Sequence, residues 1–209
     1  MADAKPTTTP CSQGCDHAGI DPLRRGLLQA GVAAAAGMLP TVGRADDDDD
    51  PRRKMRPQVG DRFVRFEGDQ EGAVIAAGDV KLGQDPIITW AIDPATKLTR
   101  DGSRLNQVLL LRLDPSTLGP QTLEHAADGI VAYSAICTHA QCTVAGWMPD
   151  SQLLHCPCHQ SEYDPRQNAK VVGGPAPRPL AALPLKIVDG KPTVAGGFIG
   201  KIGMDQSAM

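Results

Sequence analysis

"CTHAQC" at residues 137–142 and "CPCHQS" at residues 156–161 hold four of the chain's six cysteines and two of its five histidines. One residue separates Cys137 from His139, two separate Cys156 from His159, and 16 lie between His139 and Cys156. Two loops that each deliver a Cys/His pair predict a metal site with four protein ligands. Zinc is the first competitor, because tetrahedral sites of two cysteines and two histidines are common. Structural zinc, however, prefers each loop to supply like ligands two to five residues apart. A single residue between Cys and His fits that pattern poorly, so a structural zinc module stays as the remote alternative.

Around the two loops the chain reads as β structure. From Gly60 onward, short apolar runs alternate with turn residues: "RFVRFE", "AVIAAG", "IITWAI", "QVLLLRL", "IVAYSAI", "QLLHC", "LKIVD" and "TVAGGF". Runs of that length bounded by Gly, Pro and Asp predict antiparallel strands. Asp189 and Gly190 between "LKIV" and the strand containing "PTVAG" predict a hairpin, since Gly takes the positive φ a tight connection needs. Helical periodicity is weak except near "TLEHAADG". With 22 glycines and 18 prolines, the expected fold is all-β: an antiparallel sandwich over 60–209 with a small cluster-binding subdomain.

A chain of 209 residues, 41% apolar, can bury one sizeable core. Its net charge of −3, with only three Phe, two Tyr and two Trp, offers neither a basic footprint nor stacking platforms, so nucleic acid is excluded as a partner. No nucleophile triad, phosphate loop or dinucleotide fingerprint is present, and no substrate chemistry is expected from this polypeptide alone.

The first 45 residues read as a targeting segment. Arg24 and Arg25 precede the uncharged stretch 26–43, and Gly43, Arg44 and Ala45 fit a small-x-small cleavage pattern. The paired arginines, with Leu27 and Leu28 after them, resemble a twin-arginine signal, a route for exporting folded proteins. Eighteen uncharged residues also just reach the length needed to span a bilayer, so 26–43 is either removed or kept as a membrane anchor helix. Either outcome puts the folded part in the periplasm. Residues 46–59, "DDDDDPRRKMRPQV", with five acids, four basic residues and two prolines, are expected to be a charged linker. Cys11, Cys15 and His17 precede the signal and are read as leader residues.

The loop pair is similar to that of the Rieske iron-sulfur family, over roughly 129–198. The resemblance implies a 2Fe-2S cluster in which Cys137 and Cys156 bind one iron and His139 and His159 the other. It further implies a disulfide between Cys142 and Cys158, one from each loop, which marks the high-potential branch. Ser161 and Tyr163 match positions from which a hydroxyl and a phenol tune the cluster by bonding to sulfur. "GGPAPRPL" at 173–180, with Gly174, Pro175 and Pro177, matches the loop that covers the cluster from a third side, stiffened by prolines. Gln141 and Gln160 stand where that family commonly has Gly. His125 and His155 are assigned no role, and they are too few and too scattered for the mononuclear iron of a Rieske oxygenase.

The function this implies is one-electron transfer as the iron-sulfur subunit of a quinol:cytochrome c reductase. Its partners would be a b-type cytochrome with quinol as donor and a c-type cytochrome or similar acceptor. The alternative is the electron-relay small subunit of a periplasmic molybdenum oxidase, similar to the arsenite oxidase small subunit, beside a molybdopterin subunit. Tyr163, where the small-subunit family often has Phe, leans to the quinol side.

Overall fold

The most apolar run of the chain, 107–113, becomes the strand at the centre of the fold. The computed structural model describes residues 50–68 and 71–204. Within them the strands are β1 (Arg62–Arg65), β2 (Ile87–Ile92), β3 (Val108–Arg112), β4 (Ile130–Ser134), β5 (Gly146–Met148), β6 (Leu153–Cys156), β7 (Ser161–Asp164), β8 (Lys170–Gly173), β9 (Leu185–Val188) and β10 (Lys191–Val194). A single-turn helix, α1 (Pro120–Leu123), is what remains of the helical signal near "TLEHAADG".

The strands form two antiparallel sheets, one ordered β4-β3-β2-β1-β10-β9 and the other β5-β6-β7-β8. The larger sheet curls until its ends nearly meet. Along the outer edge of β4, Ser134 N–H donates to the Ala181 carbonyl at 2.8 Å and Leu183 N–H to the Ala132 carbonyl at 2.9 Å. Residue 183 leads directly into β9, the opposite edge strand, so few backbone groups are left without a ladder partner.

Strand alternation then builds two cores. Val108 and Leu110 face inward with Phe63, Ile130 and Val194. Leu109 and Leu111 face the other way, with Val131, Tyr133, Leu154 and Tyr163. Apolar burial on both faces explains why β3 and β4 read as continuous hydrophobic runs rather than alternating ones. It also seats the smaller sheet, through Leu154 and Tyr163, against the larger.

The expected antiparallel β fold is therefore present, with local differences. "AVIAAG" makes no strand: only Val74 bridges to Val64, and the chain turns at once through a 3-10 turn, Ala77–Asp79, closed by Asp79 accepting the Ala76 N–H at 2.8 Å. A run with a single core residue, Ile75, is too short to hold an edge. β5, β7 and β8 were not foreseen, because their half-exposed faces make them short and mixed in polarity. The β9–β10 hairpin turns as expected on Asp189 and Gly190, whose φ values of 51° and 69° are those of a two-residue primed turn.

The linker expected over 46–59 is docked on the domain from Asp50 onward. Pro51–Lys54 form a 3-10 turn, Arg53 bonds Asp101 at 2.6 Å, and Asn106 donates to the Met55 carbonyl at 2.8 Å. Below this segment Arg100 and Asp61, only 7% and 3% exposed, make a bidentate pair. The basic residues of the segment therefore bond to the domain instead of solvating a tether. The segment 1–45, with its expected signal or anchor, lies outside the described residues. Among the described residues no helix is long and apolar enough to cross a membrane.

Candidate metal centre

Each Cys/His loop is the tip of a hairpin, and each hairpin belongs to a different sheet. The first tip follows β4. Ile136 bridges to Thr143, the Cys137 N–H donates to the Cys142 carbonyl at 2.8 Å, and the Gln141 N–H donates to the Cys137 carbonyl at 3.1 Å. The second joins β6 to β7: Cys156 pairs with Ser161, and the Gln160 N–H donates to the Cys156 carbonyl at 3.0 Å. Closing such short turns forces left-handed backbone at one position in each, Gln141 (φ 58°) and Gln160 (φ 60°). That is the physical reason glycine suits both places.

The tips meet. A disulfide joins Cys142 to Cys158, with Cα atoms 6.5 Å apart. Cys137 and Cys156 remain free thiols, each 1% exposed. The rings of His139 and His159 stand edge to face with centroids 4.7 Å apart. The sulfurs of Cys142, Cys156 and Cys158 all lie within 4.8 Å of one another, but two of them are bonded together, which leaves Cys156 as the donor of that trio. His139 Nδ1 and Ser161 Oγ are buried and find no hydrogen-bond partner among the described residues. His159 is exposed at the tip, while His139 is half-buried.

Tyr163 reaches the first tip from β7. Its hydroxyl lies 3.2 Å from Cys137 Sγ and accepts the Thr138 N–H at 3.3 Å. A thiolate can only accept, so with Cys137 ionised the phenol donates to it. Burial by itself would raise the Cys137 thiol. The bonds from Tyr163 and from the N–H groups of His139 and Ala140 outweigh it and hold the pKa below the ordinary thiol value. Cys156, which lacks a phenol, is pushed up, by burial first and by the neighbouring Cys137 charge. Tyr163 is likewise pushed up by burial and then by its bond to Cys137, and so stays a protonated donor.

The proline loop closes the third side. A Cβ on Gly174 (φ 76°) would lie 2.4 Å from the Gln160 carbonyl oxygen, so the loop backbone rests directly on the second tip. Pro175 and Pro177 are exposed, and Ala176 between them is buried. At the far end the Arg178 carbonyl accepts the Thr138 hydroxyl at 2.7 Å, which fastens the same loop to the first tip. Sequence reasoning missed Thr138, since a threonine between two ligand candidates carries no signal of its own. It also missed Arg104, which donates to the Gln141 carbonyl at 3.0 Å, and His155, whose Nε2 lies 2.8 Å from Gln160 Oε1.

Two hairpin tips joined by a disulfide, presenting two thiols and two imidazoles, define an iron-sulfur protein, and comparison with known families agrees: residues 107–184 match, and form, a Rieske [2Fe-2S] domain. The cofactor of such a domain is a 2Fe-2S cluster. The chain is 36% identical over 175 residues to the cytochrome bc1 complex Rieske iron-sulfur subunit of Streptomyces coelicolor, covering 79% of this chain and 48% of that protein. It is 35% identical over 104 residues to the subunit of the same name from Mycobacterium tuberculosis, covering 47% of this chain and 24% of that protein. A Haloferax mediterranei protein named as a Rieske subunit of respiratory nitrate reductase is 41% identical over 81 residues, covering 38% of this chain and 36% of that protein. The chain thus spans half or less of the length of these relatives.

Proposed function

We propose that this chain transfers single electrons through a 2Fe-2S cluster, with Cys137 and Cys156 on one iron and His139 and His159 on the other, as the iron-sulfur subunit of a quinol-oxidising cytochrome bc1-type complex. The observation that carries the reading is the donor set. Two free buried thiols and two imidazoles converge from two bonded tips, and His139 Nδ1 is buried without a partner. A buried ring nitrogen with an unused lone pair is costly unless a metal takes it. The orphaned Ser161 hydroxyl, buried beside Cys156's strand pair, fits a sulfide acceptor in the same way.

When bound, the cluster supplies one-electron chemistry at a raised potential, because neutral imidazoles replace two thiolates. The chain's own groups do the rest. Tyr163 and the loop N–H groups stabilise charge on Cys137, the disulfide keeps the two half-sites together, and the proline loop excludes water. His159, the exposed imidazole, is where a quinol hydroxyl would hydrogen-bond.

The relatives named as bc1 complex subunits support a b-type cytochrome with quinol on the donor side and a c-type cytochrome as acceptor. The Haloferax relative supports a second reading, a relay beside a large catalytic subunit such as a molybdopterin protein. Arg24 and Arg25 support twin-arginine export to the periplasm, with 26–43 cleaved or kept as an anchor. The full chain, purified with its native neighbours, is expected to contain iron and acid-labile sulfide in equal amounts and to give the electron-spin resonance signal of a mixed-ligand cluster. His139→Ala and His159→Ala should abolish that signal. Bound zinc without sulfide, or unchanged iron in both variants, would overturn the reading; co-isolation with a b-type cytochrome or a molybdopterin subunit separates the two complexes.

A further inference from the structure

We propose that Gln160 is a positioning residue whose carboxamide clamps the second ligand hairpin to its own strand through His155. The inference rests on the cluster reading above for its consequence, though not for its geometry.

Gln160 has the backbone that glycine is suited to, φ 60°. A residue with a side chain is strained there, so a glutamine at this place calls for a compensating contact. Its side chain makes two. Gln160 Nε2 donates to the Pro157 carbonyl at 3.2 Å, and Gln160 Oε1 lies 2.8 Å from His155 Nε2. The first bond orients the amide, so Oε1 is the atom that faces the imidazole and His155 Nε2 is the nitrogen that carries the proton. The His155 ring in turn is seated by β5. Gly146 is its partner across the ladder, and a Cβ there would lie 2.9 Å from His155 Nδ1. On the opposite side the Gln160 carbonyl is pressed by Gly174.

The four residues of the tip, Pro157–Gln160, are therefore held by a backbone bond to Cys156, a side-chain bond to Pro157 and a side-chain bond to His155. Cys156 and His159, the proposed ligands of this loop, lie inside that clasp. The first tip needs no such device, because its left-handed residue, Gln141, is held through its backbone carbonyl by Arg104.

Gln160→Gly keeps the turn conformation without strain and removes only the clamp. His155→Phe keeps a ring over Gly146 and removes the nitrogen. Hydrogen exchange of the Cys158, His159 and Gln160 amides, followed by mass spectrometry on the full chain, is expected to quicken about five- to tenfold in either variant. The double variant should be no faster than the singles, since both break one contact. Cluster release to a chelator should accelerate in the same order. Unchanged exchange in Gln160→Gly, or additive effects in the double variant, overturns the clamp. If the wild-type chain carried no iron-sulfur cluster, the function would fail while the exchange measurement still judged the clamp.

Discussion

Replacing Gly174 by alanine tests the claim that the proline loop is built onto the second ligand hairpin. The new Cβ would stand 2.4 Å from the Gln160 oxygen and 2.5 Å from Ser161 Cα, both backbone atoms that no rotamer change can move aside. Relieving the contact requires a shift of most of an ångström in either the loop or the tip, and overpacking of that kind costs about 1–3 kcal/mol. The left-handed φ of 76° adds about 1 kcal/mol for any residue with a Cβ. Together these make about 2–4 kcal/mol. For a domain of this size each kcal/mol lowers the melting temperature by about 2–4 °C, so a fall of about 5–15 °C is expected. Gly190→Ala is the control. Gly190 has a similar φ of 69° but nothing within 4 Å of its Cβ position, so it should lose only the conformational part, about 2–4 °C. Calorimetric melting of the two variants beside the wild type gives both numbers. Equal melting temperatures for Gly174→Ala and Gly190→Ala would refute the close approach, and with it the packing of the loop on the tip.

Tyr163→Phe removes the phenol that lies 3.2 Å from Cys137 Sγ; a net loss of about 1–1.5 kcal/mol in favour of the oxidised state should lower the reduction potential by about 40–60 mV in protein-film voltammetry. Cys142→Ser with Cys158→Ser opens a cross-link spanning 16 residues, for an expected loss of about 3 kcal/mol in denaturant titration and faster release of the cluster. Asp61→Ala leaves Arg100 buried with no carboxylate, which should destabilise by about 3–5 kcal/mol, whereas removing both partners should cost clearly less; the double-variant cycle reads this directly. Thr138→Val removes the hydroxyl that holds the Arg178 carbonyl, and faster amide exchange across 173–180 is the expected result.

The ligand set, the β class and the hairpin at Asp189 and Gly190 were legible in the sequence, because each rests on short-range facts. Cysteine and histidine are rare and chemically distinct, spacing within a loop survives folding, and a two-residue turn needs positive φ whatever surrounds it. The same locality explains the misses. β5, β7 and β8 exist because each pairs with a neighbour and packs one face on the larger sheet, and a three- or four-residue strand of mixed polarity carries no periodicity to announce it. The charged run after Asp50 reads as solvated until Asp101 and Asn106 appear beside it, some 50 residues away in the chain. What the sequence determined by itself was the chemistry on offer: which donors, in which two loops. Only the tertiary structure decided that one loop would hang from each sheet, that the tips would meet at a disulfide, and that Thr138, His155 and Gly174 would hold them. Those contacts join residues distant in the chain or depend on side-chain direction, and both are set by the packing of two sheets rather than by any local pattern.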